Sequence, residues 1–254
     1  MSEQDLLTEI AKNYEELTNV DDFSIDSEKI FGILADLKSL FFPKHFPSDR
    51  SNEQLLSSIE QGLMQEIEKV DIDYERSTKA FLERLPDIQR MLYQDVKAIY
   101  DGDPSAKTYT EIIKSFPGFL ATFAYRTAHE LYELNVPIIP RIIAEYAHEK
   151  TGIDINPGAK IGESFCIDHG TGIVIGETAT VGDHVRMYHG VTLGVRKFNI
   201  DENGVLLKGG KRHPDIGDYV TIFANATILG GETMISDHSS ISTGSLITES
   251  NKER

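Results

Sequence analysis

The chain of 254 residues has no tryptophan and a single cysteine, Cys166. No intramolecular disulfide can form, and a metal site built from cysteines alone is excluded. Positive charge is scarce as well: 25 Lys and Arg stand against 41 Asp and Glu, for a net charge of −16. A chain this acidic is repelled by polyanions, so neither nucleic acid nor an anionic membrane is expected as a partner through bulk charge. A local basic pocket for a phosphorylated cofactor remains compatible with that balance. Long apolar runs are missing too. No stretch approaches the roughly 18 apolar residues of a membrane span, and MSEQDLLTEIAKNYEEL lacks the basic start and apolar core of a signal peptide. The expected location is the cytoplasm.

What is present is ordinary for a globular protein, 40% hydrophobic and 26% charged, but unevenly laid out: residues 1–150 carry −12 and residues 151–254 only −4. The first part has helical spacing. Leu6, Leu7, Ile10, Ala11, Tyr14 and Leu17 mark one helix. Asp26 or Ser27 caps a second, through Ile30, Ile33, Leu34, Leu37 and Leu40, which stops before Pro43. Asn52-Glu-Gln-Leu opens a third through Leu56, Ile59, Leu63, Ile67 and Val70. A fourth spans 74–100, with Pro86 able to start or kink it. After the turn Asp101-Gly-Asp-Pro104, helices are expected near 108–115, 117–134 and 137–151. The last two carry Phe119, Phe123, Tyr125, Leu131, Ile138, Ile142 and Ile143, an almost wholly apolar set that must pack against something. This half holds no catalytic motif of its own.

From Ile155 the period becomes six: Ile155, Ile161, Ile167, Ile173, Ala179, Val185 and Val191. A companion series runs through Ala159, Phe165 and Thr171, then Ile175, Val181, Met187 and Leu193. After an interruption the beat resumes as Ile216, Ile222, Ile228 and Met234, then shifts to Ile235 and Ile241. Six residues fit neither a helix nor a flat strand. They fit a ribbon wound into three flat faces, with one hexapeptide per face and about 18 residues per coil. Hexapeptide proteins of this kind wind left-handed, against the usual crossover rule, and the period itself does not reveal the hand. The expected class is therefore α+β: an all-helical domain at 1–152, a left-handed parallel β-helix at 153–247, an inserted loop at 195–211 and a short tail at 248–254. Asp201 to Gly204 reads as a hairpin turn within that loop. Its place just before Arg212-His213-Pro214 makes the loop either a flap over a site or a plain surface excursion.

Candidate chemistry centres on three places. Asp154 stands fourteen residues before Asp168-His169, close to one coil, so it is expected about one layer below His169 or its neighbour. A carboxylate there would accept the imidazole Nδ1–H, fix the tautomer and leave Nε2 as a base toward a hydroxyl, worth about 10²–10⁴-fold in rate. Arg212 offers a planar fork for a carboxylate, and Asp103 and Asp168 could hold an ammonium group. Together these describe a site for a hydroxy-amino acid. By spacing alone, His169 also fits a plain corner residue of the coil.

The run DINPGAKIGESFCIDHGTGIVIGETATVGDHV, followed by VTLG, KRHPDIGD and ATILGG, resembles the serine O-acetyltransferase family. GDPSAKTYTEIIKSFPGFLATFAYRTAHEL is similar to the part of that family's helical domain just before its β-helix, so the resemblance covers residues 95 to 247. It implies transfer of acetyl from acetyl-CoA to the L-serine hydroxyl, giving O-acetyl-L-serine for cysteine synthesis, by direct attack without an acyl-enzyme. Carried over by motif, His169 is the general base and Asp154 its partner. Asp103, Asp168, Arg212 and His213 line the serine site, with Glu177 nearby. Backbone N–H groups around Gly194 serve the oxyanion, CoA lies near Ala224 and Asn225, and no metal is required. The resemblance also implies a homotrimer, or a hexamer of two trimers joined by the helical half, and feedback inhibition by L-cysteine in the serine site.

Some residues depart from the family pattern. Val195 and a longer loop stand where a second glycine often follows VTLG, and Phe223 stands where the CoA coil often has glycine. The family's proline-containing tail, whose terminal isoleucine enters O-acetylserine sulfhydrylase, is not found after ITESNKER. A shortened chain or a lost complex would each account for this, and the sulfhydrylase is not expected as a partner. Three other readings stay open. One is an acetyltransferase of the same fold acting on a sugar or antibiotic hydroxyl. Another resembles the γ-type carbonic anhydrases, with zinc held by His184 and His189, five residues apart, and by His169. The third is a non-catalytic scaffold.

Overall fold

The computed structural model describes residues 2–18, 23–198 and 200–250. The side chains of residues 15–18, Leu17 among them, and the tail residues 251–254 lie outside that description. Helix α1 (Glu3–Thr18) presents Leu6, Leu7, Ile10 and Tyr14, and all four are exposed. In α2 (Ser27–Phe41) it is Asp26 that caps, its side chain accepting from the N–H groups of Glu28 and Lys29. Helix α3 (Asn52–Ile67) opens with a capping box between Ser51 and Gln54. It ends before Val70, whose N–H closes a tight turn onto the Ile67 carbonyl at 2.9 Å. Pro86 falls inside α4 (Tyr74–Gly102) rather than at its start.

Short α5 (Tyr109–Ser115) leads to α6 (Pro117–Glu133) and α7 (Ile139–Thr151). Leu37, Ile59, Phe81, Leu92, Ile112 and Phe123 sit at the centre of the helical core. Helix α7 stops at Gly152, which takes the left-handed φ of 67° that a side chain resists.

Beyond Gly152 the chain winds into a left-handed parallel β-helix with three faces. The first face stacks β1 (Asp154–Ile155), β4 (Val174–Ile175), β7 (Thr192–Gly194), β10 (Thr227–Leu229) and β13 (Leu246–Ile247). The second stacks β2 (Lys160–Ile161), β5 (Thr180–Val181), β8 (Asp215–Ile216) and β11 (Met234–Ile235), and the third β3 (Cys166–Asp168), β6 (Arg186–Tyr188), β9 (Thr221–Ile222) and β12 (Ser240–Ile241). Ile155, Ile161, Ile167, Ile173, Ala179, Val185 and Val191 are all buried in one column-filled core with Ile175, Val181, Met187 and Leu193. Two residues of the expected inward series are corrected: Thr171 and Met234 are exposed. Thr171 lies in a corner turn, and in the two-residue β11 it is Ile235, paired with Ile216, that faces in.

Coil length also differs from the expected uniform value. Asp154 pairs with Val174 and Val174 with Thr192, so successive coils take 20 and 18 residues. The 195–211 insertion leaves between β7 and β8, and its hairpin is real: Ile200 bridges Leu206, and Asp201 accepts from the N–H groups of Asn203 and Val205.

The helical half is joined to the first coil through α6. β2 has no coil beneath it, so its backbone groups need partners from elsewhere. The Tyr125 hydroxyl donates to the Ala159 carbonyl at 2.7 Å and accepts from the Ile161 N–H at 3.0 Å. The Arg126 guanidinium donates to the carbonyls of Ile161 and Gly162 at 3.0 and 2.7 Å, and its remaining N–H groups form a fork onto Asp95 at 2.7 and 2.9 Å. Asp95 in turn accepts from the Phe165 N–H at 2.9 Å. Both charged side chains are essentially buried, at 4% and 0% exposure. The helical half is thus a lid on the open end of the stack.

Candidate active site

The expected site residues fall on two corners of the coil, at opposite edges of the β1–β4–β7 face. At the first corner, β3 delivers Asp168 and His169. The His169 backbone is left-handed (φ 57°), which throws its side chain outward, 76% exposed. Its Nε2 lies 3.7 Å from the Asp168 carboxylate. One coil on, Asp168 pairs with Tyr188, and the ring of His189 meets that of His169 edge-on at 5.7 Å. The His189 Nδ1 is buried and finds no hydrogen-bond partner among the described residues.

Asp103 caps the end of α4 above the same strands, where its carboxylate accepts from the Ser105 N–H at 2.7 Å. Beside it the Arg186 guanidinium donates to the Gly102 carbonyl. Burial pushes the Cys166 thiol up to about 12, with Arg186 opposing and Asp168 and Asp103 adding to the shift. Asp154 lies on the same corner side, but its carboxylate makes no hydrogen bond to His169. The first coil is 20 residues long, so Val174, not His169, stands directly over it. Its near neighbours are instead Glu145 and His148 of α7.

At the second corner the chain folds Glu177 against the segment that returns from the loop. Arg212 forms an ion pair with Glu177, which also accepts from the Tyr132 hydroxyl at 3.0 Å. Thr178 organises the rest: its hydroxyl accepts from the Arg212 N–H at 2.9 Å and the His213 N–H at 3.1 Å, and its own N–H donates to His213 Nδ1. Gly176 has to be glycine, because a Cβ there would lie 1.9 Å from the His213 ring. Gly194 ends β7 on this side, next to Leu193, whose carbonyl takes the Gly176 N–H. Ala224 and Asn225 return to the first corner. Phe223 stacks on Tyr188 at 5.3 Å, and the Asn225 N–H donates to the His189 carbonyl, so the two expected CoA residues continue the column that starts at His169.

The histidines of the zinc reading are split by strand β6. His184 stacks on Tyr219 at 4.6 Å at the third corner, whereas His189 sits by His169. Tyr132, Thr178 and Arg186 are not among the site residues expected from the sequence. His189, expected in the sequence only as a zinc ligand or a trimer-face or substrate-site residue, stands 20 residues and one coil after His169.

Burial, reinforced by Arg212 and Lys211, pushes the His213 pKa down to about 4 from 6.5, with Glu177 opposing. Between those values the unfolded chain binds a proton that the native chain refuses. Stability from this group is therefore complete above about pH 6.5 and falls as pH drops toward about 4. Urea midpoints at pH 7 and pH 5 are expected to differ more in the wild type than in His213→Gln, and an equal difference would refute the assignment.

Comparison with known proteins now bears on this geometry. Residues 50–124 match the family described as "Serine acetyltransferase, N-terminal". Over 228 residues the chain is 44% identical to a protein of Synechococcus elongatus named "Serine acetyltransferase, plasmid", covering 80% of this chain and 72% of that one. The chain belongs to the serine acetyltransferase family. Its structure superposes on that of Entamoeba histolytica serine acetyltransferase 1 solved with L-cysteine, with a TM-score of 0.74 and 36% identity over 91% of this chain and 87% of that one. A serine acetyltransferase of Brucella abortus solved with coenzyme A gives a TM-score of 0.61 at 28% identity, over 86% and 89%. The activity of this acyltransferase is acetylation of serine.

Proposed function

We propose that the two corners form one serine site only when two chains meet, in a homotrimer whose neighbouring coils face each other edge to edge. The observation that carries this is the separation itself. Asp103, Asp168 and His169 occupy one edge of the β1–β4–β7 face, and Glu177, Arg212 and His213 occupy the other. The carboxylate of L-serine pairs with Arg212, which Glu177 and Tyr132 hold in place. Its ammonium sits between Asp103 and Asp168. His169 takes the hydroxyl proton as the serine oxygen attacks the thioester carbonyl of acetyl-CoA, and it returns that proton to the departing CoA thiolate. Asp154 supports the imidazolium that forms in between. The donor chain lies along the His169–Ala224 column. Along that column the partnerless His189 nitrogen and backbone N–H groups near Gly194 of the adjoining chain are candidate oxyanion donors. L-Cysteine offers the same carboxylate and ammonium as serine, so it competes for this site. O-Acetyl-L-serine, the product, feeds cysteine synthesis.

Mixing two inactive variants tests the shared site. His169→Ala and Arg212→Ala, refolded together in equal amounts, are expected to recover about a quarter of wild-type activity, the share of interfaces in random trimers that join an intact His169 to an intact Arg212. No recovery from mixed oligomers would place both residues in one chain's site and overturn the proposal.

A further inference from the structure

Helix α7 carries Glu145 and His148 three residues apart, on one face of its last two turns. The left-handed turn at Gly152 then brings the chain back so that Asp154, at the head of β1, faces the same place. One donor atom from each of the three lies within 4.8 Å of the others. Two carboxylates and an imidazole make an oxygen and nitrogen set of the kind that takes zinc or a related first-row ion. Such ions hold neighbouring ligands about 3.3 Å apart, so the side chains need to close by only about 1–1.5 Å. Glu145 and His148 are free to do that on the surface.

Three further features favour a cation here. The site lies at the C-terminal end of α7, where the helix dipole is negative. The Glu145 carboxylate lies within ion-pair distance of both Arg141 and His148. Its Oε1 is paired with Arg141 while Oε2 stands 3.1 Å from His148 Nδ1, so one oxygen and one nitrogen already converge on one place. On metal binding the Nδ1 lone pair goes to the ion, and any proton on Nδ1 leaves for the solvent or for Nε2. Among the described residues none forms a competing hydrogen bond to the Asp154 carboxylate.

We propose that Glu145, His148 and Asp154 form a binding site for a divalent transition-metal ion of the zinc type, and that filling it fixes the Asp154 carboxylate on the ion, out of reach of the His169 imidazolium, and slows acetyl transfer. The inhibitory half rests on the reading of Asp154 as the partner of His169, whereas the binding half does not.

The test uses the full-length protein, stripped with EDTA and titrated with zinc chloride by calorimetry. Cobalt(II) absorbance reports the ligand set, and turnover is followed in parallel as loss of thioester absorbance. One ion per chain is expected, with at least about a tenfold fall in rate at saturation that EDTA reverses. Glu145→Gln and His148→Gln are expected to keep the basal rate and to weaken both zinc binding and inhibition by about ten- to a hundredfold. No saturable binding, or equal binding in the two variants, overturns the site and leaves the role of Asp154 standing. Zinc bound through Glu145 and His148 with no change in rate overturns the inhibitory half, and with it the pairing of Asp154 with His169.

Discussion

Replacing His169 with alanine is expected to lower kcat by about a thousandfold, within the range that a positioned general base contributes, and to leave the KM for serine nearly unchanged. The ring stands on an exposed corner and makes no hydrogen bond that holds the coil, so the variant should fold normally. Its left-handed backbone should relax no further than the alanine side chain requires. In the proposed site the serine carboxylate and ammonium are held by Arg212, Asp103 and Asp168, not by the imidazole, which is why binding should survive. The measurement is steady-state CoA release at saturating acetyl-CoA, alongside circular dichroism. A loss below tenfold, or a loss that appears wholly in KM, would remove His169 from the proton-transfer step. Asp154→Asn should show the same pattern with a smaller fall, since the proposed role of Asp154 is toward the base and not the substrate.

The second large effect concerns stability. Asp95→Ala leaves the Arg126 guanidinium buried with two of its five N–H donors unpaired and strips the Phe165 N–H of its acceptor. Losing one partner of a buried ion pair costs about 3–5 kcal/mol, which for a domain of this size is a fall in Tm of roughly 10 °C. The double variant Asp95→Leu with Arg126→Met removes both charges and should regain part of that loss. It should not regain all of it, because the carbonyls of Ile161 and Gly162 then have no donor. Differential scanning calorimetry separates the cases. Equal Tm values for the single variant and the wild type would mean that water reaches the pair and that the junction is looser than its hydrogen bonds indicate.

Much of this architecture was legible in the residues because burial in a three-faced coil acts on every sixth position. Ile155 to Val191 declare themselves in that way, and each of them is buried. Coil length was not legible. Whether a corner takes two residues or three depends on turns such as His169-Gly170-Thr171-Gly172, where glycine and a left-handed histidine permit more than one path. That extra length is why Asp154 sits under Val174 and not under His169. The site motifs were readable as chemistry, but their division between two corners follows from the winding of the faces, which no local pattern carries. In the sequence Tyr125 reads as one more apolar residue of α6. Its neighbour Arg126, a lone cation inside an apolar stretch, was the sign of a buried polar junction.

The lid that α6 forms on the first coil also sets an order of events. Domains emerging from the ribosome fold as units, the N-terminal one first. Here the first unit to emerge is the one that can satisfy the unpaired edge of β2 through Tyr125 and Arg126. Each later coil then docks on a surface that is already complete, adding one turn of ribbon at a time. Reversing the two halves by circular permutation would present the growing stack with a bare strand edge for the whole of its synthesis, when neighbouring nascent chains are the nearest partners it could find.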